Sequence, residues 1–189
     1  MIMTTALFLL ADGFEELEFI APYDILHRGG IDVITASIND KNEVTGAHGL
    51  RVLADFQLPS YKELPEGRGV NMLILPGGGL GTENLLKSQL VKDLLIKSYA
   101  AGKKIAAICA APKVLANAGI LKTHEATSYP GARADVEPLC KKYLDVPVAV
   151  SENIITSRSA GTAAEFGFTL LSILTNFETS DEVKRKMFF

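Results

Sequence analysis

Cys109 ends a short apolar run, Lys104-Ile105-Ala106-Ala107-Ile108, and is followed at once by Ala110-Ala111-Pro112. Short apolar runs of this kind read as buried strands, and a proline marks the first turn of a helix. Only small residues separate the two elements, so the chain turns tightly at Cys109 and lifts the thiol off the strand end, as in a nucleophile elbow. The chemistry on offer is thiolate attack on an electrophilic carbon, or oxidation at sulfur. Cysteine is also among the commonest inert core residues. Its place between a strand end and a helix start separates Cys109 from that reading, whereas Cys140, inside a helix expected over 132–143, reads as packing.

A thiol with a pKa of about 8.5 is only a few per cent ionised at neutral pH. Lowering that value by about three units takes about 4 kcal/mol, and a helix N-terminus supplies about 1, rarely 2. A second stabiliser is required. The three histidines, His27, His48 and His124, have no strand-end placement, so a charged imidazole is not evident. Glu18 is the candidate instead: set among Leu17, Phe19 and Ile20, its carboxyl would be buried, hold its proton and donate it to the sulfur, the alternative being a solvated helix charge. Glu15 and Glu16 read as first-turn acids that complement the helix dipole.

The Gly77-Gly78-Gly79 run lets main-chain N–H groups approach a ligand, so that Gly78 with Ala110 could form an oxyanion hole facing Cys109; the alternative reading of the run is a plain tight turn. The same run fails as a dinucleotide loop, because G-x-G-x-x-G needs glycine where Thr82 stands. Two cysteines with no C-x-x-C spacing encode neither a zinc knuckle nor a disulfide framework. No cofactor and no metal are expected.

The elements that must position these residues follow from periodicity. Residues 5–10, 31–36, 71–75 and 104–108 read as short buried strands, and 15–28, 88–101 and 161–174 carry apolar residues at helical spacing, the first expected to bend at Pro22. Such βα alternation implies a mostly parallel sheet covered on both faces, so the expected fold is α/β, a flavodoxin-like three-layer α/β/α sandwich. The stretch 58–69 reads as a surface connection. In open sheets of this type ligands sit beyond the carboxyl ends of the strands, and that is where Asp12-Gly13, Pro76-Gly77-Gly78 and Cys109 fall.

The 189 residues, 48% hydrophobic and 22% charged, suit one domain over 1–189. A net charge of −3 without a run of lysine and arginine disfavours a nucleic-acid partner. The start, Met1-Ile2-Met3-Thr4-Thr5, lacks signal-peptide features and the following apolar run is too short to span a bilayer, so the expectation is a cytoplasmic protein with no membrane partner.

Taken together, Ala11-Asp12-Gly13-Phe14-Glu15-Glu16-Leu17-Glu18, Leu75-Pro76-Gly77-Gly78, Ala106-Ala107-Ile108-Cys109-Ala110-Ala111-Pro112, and Thr156-Ser157-Arg158 with Gly161-Thr162 resemble the ThiJ/PfpI superfamily, in the branch called DJ-one. The resemblance covers nearly the whole chain. It implies that Cys109 is an oxidisable nucleophile, Glu18 the protonated carboxyl beside it, and Gly78 and Ala110 the anion-binding amides, with auxiliary roles for Gly77, Tyr129, His48 and Arg28. It further implies a homodimer that acts, without cofactor, on small dicarbonyls or glycated protein as a glyoxalase or deglycase. The alternative it carries is a non-enzymatic redox sensor or redox-regulated chaperone.

Three departures from the pattern bear on that reading. Tyr129 stands where the branch often has histidine, and a phenol does not shuttle protons easily near neutrality. His48 stands in place of an arginine that reaches across the dimer, and Ser159-Ala160 replaces a Gly-Pro pair. The protease-like branch has histidine directly after its cysteine; with Ala110 there, a PfpI-type cysteine protease is the less favoured reading.

Overall fold

The computed structural model describes residues 4–60 and 69–189. In chain order the elements are β1 (Thr5–Leu10), α1 (Glu16–Arg28), β2 (Asp32–Ser37), β3 (Glu43–Thr45), β4 (Arg51–Leu53), β5 (Phe56–Gln57), β6 (Val70–Leu75), α2 (Gly79–Lys87), α3 (Gln89–Ala100), β7 (Lys104–Ile108), α4 (Pro112–Asn117), β8 (Glu125–Ala126), α5 (Arg133–Val136), β9 (Lys142–Tyr143), β10 (Val148–Ser151), β11 (Ile154–Ser157), α6 (Ala163–Leu174) and α7 (Phe177–Lys186). Among the described residues, seven strands form one sheet in the order β10-β11-β7-β6-β1-β2-β5. All its pairings are parallel except that of edge strand β10 with β11.

The sheet is buried on both faces because its central strands are apolar on both. In β1, Leu7 and Leu9 point into one core with Leu85 of α2, Val91 and Leu95 of α3, Leu115 of α4 and Val136 of α5. Ala6, Phe8 and Leu10 point into the other, with Phe19 and Ile25 of α1, Phe166 and Leu170 of α6 and Val183 of α7. The three layers are therefore α2–α5, sheet, and α1 with α6 and α7. Gly167 sets the spacing of α1 on α6: a Cβ there would lie 2.8 Å from Ile25 Cδ1 and 3.0 Å from the Pro22 Cα.

Several expectations are corrected. Residues 132–143 are not one helix, because Pro138 has no N–H to donate and its ring clashes with the preceding turn. The four residues of α5 lie between 3-10 turns at Pro130–Ala132 and Glu137–Leu139, and Cys140 is extended, at φ −108 and ψ 161. The last long apolar helix starts at Ala163, after a 3-10 turn over Ala160–Thr162. Of the expected connection 58–69, Leu58 opens a 3-10 turn and is buried, and 61–68 lie outside the described residues. In the tail, Phe189 packs edge-on against Phe168 at 5.4 Å, while Phe188 is exposed. Among the described residues no helix is long and apolar enough to cross a membrane.

Candidate active site

The parallel registers bring four strand ends side by side. Leu75 of β6 pairs with Ala107 of β7, and Ile108 of β7 with Ser157 of β11, so the segments after β1, β6, β7 and β11 leave the sheet along one edge. Cys109 is the first residue past β7. Its φ is +64, the left-handed region that disfavours any side chain carrying a Cβ by about 1–2 kcal/mol. Two main-chain bonds hold it there: the Cys109 N–H donates to Ser157 O at 2.9 Å, and Cys109 O accepts the Tyr129 N–H at 2.8 Å. Pro112 then starts α4 at its first turn.

Glu18, in the first turn of α1, is 1% exposed. Its Oε2 accepts the Gly77 N–H at 3.0 Å, and its Oε1 is buried without a hydrogen bond of ordinary geometry. Gly77 must be glycine: a Cβ there would sit 2.5 Å from Glu18 Oε2 and 2.8 Å from Cys109 Cβ. Gly78 must be too, since φ is +89 and a Cβ would lie 2.3 Å from Gly13 O. The N–H groups of Gly78 and Ala110 both face the Cys109 sulfur.

Burial dominates the electrostatics. It pushes Glu18 up to about 7, against the lowering effects of the Cys109 and Gly77 hydrogen bonds. Burial, and next the negative charge of Glu18, push the Cys109 thiol up to about 12, opposed by the Ala110 and Gly78 amides. Two anions in contact are strongly disfavoured, so the two steps belong to the pair: its first proton leaves at about 7, the second leaves only at about 12 against the charge already present, and in between the single charge is shared by buried Glu18 and half-buried Cys109. With the proton on Glu18, the repulsion acting on sulfur disappears and the orphaned Oε1 gains a donor role toward it. A buried unpaired oxygen otherwise costs about 1–3 kcal/mol.

The remaining candidates fall elsewhere. Tyr129 donates its backbone N–H to Cys109 O, and the residue is half exposed. The His48 N–H donates to Glu16 Oε1 at 2.6 Å, and its Nδ1 lies 2.7 Å from Glu16 Oε2. Glu16 thus clamps the β3–β4 loop to α1, a role the dipole argument did not foresee. Glu15, Glu16 and His48 are near enough to share a metal ion, but the short His48–Glu16 bond accounts for the grouping without one. Arg28, about 15 Å further along α1 than Glu18, pairs with Asp24 at 2.7 Å and is not brought to Cys109 within this chain. His124 is buried and structural, with Nδ1 donating to Ser151 O at 3.0 Å and Nε2 receiving Tyr99 Oη at 2.9 Å.

Sequence reasoning gave no role to Ser157 or Thr162. The signal was present in Ser159-Ala160-Gly161-Thr162, a capping-box spacing, and the structure shows both reciprocal bonds of that motif.

A cysteine on a strained strand-to-helix turn of a three-layer α/β protein, against a buried carboxyl and two main-chain donors, is an arrangement that can serve a thiol nucleophile or a redox site. The chain belongs to the DJ-1/PfpI family, whose model matches residues 4–173. It is 36% identical to Protein dj-1beta of Drosophila melanogaster over 96% of this chain and 95% of that one. The crystal structure of that protein superposes with a TM-score of 0.91 over 98% of both chains. It is 31% identical to the glutathione-independent glyoxalase DJ-1 of Schizosaccharomyces pombe, over 98% of each. A deglycase of Pyrococcus horikoshii is 35% identical over 80% of this chain and 88% of its own length.

Proposed function

We propose that the protein is a cofactor-independent, DJ-1-like enzyme of carbonyl detoxification that converts small 2-oxoaldehydes to 2-hydroxy acids through Cys109. The observation that carries this reading is the buried Glu18 carboxyl, fixed through Oε2 by Gly77 and lying against the sulfur. The glyoxalase and deglycase names of the two relatives support the substrate class.

The sulfur attacks the aldehyde carbon, the C=O π pair moves to oxygen, and that oxygen takes the Glu18 proton while the Gly78 and Ala110 N–H groups bind it. The Glu18 carboxylate then removes the hydrogen of the former aldehyde carbon as a proton, leaving an enediolate; the hydroxyl proton passes from the first oxygen to the second, and Glu18 returns its proton to the neighbouring carbon. The first carbon is thereby oxidised to a thioester and the second reduced to an alcohol, so no external electron carrier is needed. Water cleaves the thioester and restores the thiol. Deglycation would use the same attack on a glycated adduct.

As part of this reading the protein works as a homodimer. A candidate face is formed by the exposed Leu17 and Ile20 of α1 with Leu50 and Leu53 of the adjoining β3–β4 hairpin. The functional test is methylglyoxal consumption by wild type, Cys109→Ser and Glu18→Gln. Both variants are expected to lose at least about 10²-fold; equal rates for wild type and Cys109→Ser would overturn the reading.

A further inference from the structure

Ser157 is fully buried, and its carbonyl and its hydroxyl are both engaged. Its carbonyl takes the Cys109 N–H at 2.9 Å, the bond that continues the β7–β11 ladder past its last pair. Its hydroxyl lies 3.0 Å from Pro147 O and meets Thr162 Oγ1 at 2.7 Å. The two hydroxyls have two protons for three contacts, so one donates to the other while its partner donates to a carbonyl: Thr162 to Ser157 with Ser157 to Pro147 O, or Ser157 to Thr162 with Thr162 to Ser159 O. Thr162 Oγ1 receives the Ser159 N–H at 3.1 Å and, in the second arrangement, donates to Ser159 O at 2.8 Å. One pair of hydroxyls therefore joins the end of β11, the turn into α6 and the strained residue of the elbow. The Ala160 N–H, inside the same turn, faces the Glu18 carboxyl.

We propose that Ser157 and Thr162 are positioning residues for the nucleophile. Their hydroxyl pair fixes the Ser157 carbonyl, and through it keeps Cys109 at φ +64 with its sulfur between Glu18 and the Gly78 and Ala110 amides. Without that anchor, Cys109 relaxes toward an ordinary backbone conformation and carries its sulfur off the donors. The inference rests on the reading of Cys109 as the reactive residue and specifies what holds it ready.

The test is the rate of Cys109 alkylation by iodoacetamide as a function of pH, with a melting curve for each variant. Thr162→Val, nearly isosteric but without the hydroxyl, is expected to slow alkylation at neutral pH by about tenfold or more and to move the profile to higher pH. Thr162→Ser is expected to restore the wild-type profile. Ser157→Ala removes the other hydroxyl and is expected to act in the same direction as Thr162→Val, so it carries the test should that variant not fold. An unchanged profile in Thr162→Val, or in Ser157→Ala where the first is unfolded, overturns the inference. So does an equal loss in Thr162→Ser, which would mean that packing and not the hydrogen bond matters. Alkylation requires no carbonyl substrate: a wild type that fails to consume methylglyoxal sinks the proposed function and leaves this result standing.

Discussion

Gly77 donates its N–H to Glu18 Oε2 at 3.0 Å, and a methyl group on the same residue would come within 2.5 Å of that oxygen. The missing side chain is thus what allows a buried carboxyl to lie against Cys109. Gly77→Ala is expected to displace Glu18, to lower stability by about 1–3 kcal/mol as overpacking of a dry site does, and to slow Cys109 alkylation. Urea unfolding together with thiol kinetics checks both; a wild-type alkylation rate in a folded Gly77→Ala protein would show that the contact is not needed.

Glu18 makes stability depend on pH with a definite sign. Its carboxyl is raised to about 7 in the fold, well above an ordinary glutamate, so between the two values the folded state binds more protons than the unfolded one. The contribution is complete in acid and is lost as pH rises through this window, by about 3 kcal/mol. Wild type minus Glu18→Gln stability, from urea midpoints at mildly acidic and mildly alkaline pH, is expected to fall accordingly. A difference that stays constant with pH contradicts a buried, proton-holding carboxyl.

Tyr129 is hydrogen-bonded to Cys109 through its backbone N–H. Tyr129→Phe keeps that bond and is expected to leave methylglyoxal turnover within about threefold of wild type, far from the ~10²-fold that loss of a working general acid costs. A larger fall in kcat would place the phenol in the proton path.

The apolar residues on α1 and the neighbouring hairpin bear on assembly. Leu53 is 74% exposed. Leu53→Lys is expected to shift the protein toward monomer in light scattering if this face joins two copies. A variant as dimeric as wild type would move the interface elsewhere.

The central strands were legible because β1, β6 and β7 are continuous apolar runs, and the elbow because Cys109 and Pro112 flank only small residues. β11 was hidden: Ile154-Ile155-Thr156-Ser157 is wholly buried but half polar, and its polar half is satisfied by partners distant in sequence. α2 begins on Gly79 and Gly81, which read as loop, and α7 is too charged to show an apolar stripe over its whole length. Glu18 was found from its apolar neighbours, yet Leu17 and Ile20 prove exposed; Phe19, not the run as a whole, lines the core. To the expectation of a lowered thiol pKa the structure adds a proton shared between a buried carboxyl and a half-buried thiol, which no local sequence pattern encodes.

The most direct test follows the alkylation rate of Cys109 across pH in wild type, Glu18→Gln and Glu18→Leu, with Cys140 replaced by serine so that one thiol reports. A proton-holding Glu18 predicts a wild-type half-maximal rate below the value of about 8.5 for a free thiol. The half-maximal pH should rise in Glu18→Leu, where burial remains and the donor is gone, and fall between the two in Glu18→Gln. A wild-type sulfur that ionises at or above the free-thiol value, or a Glu18→Leu profile superimposable on wild type, would contradict the account.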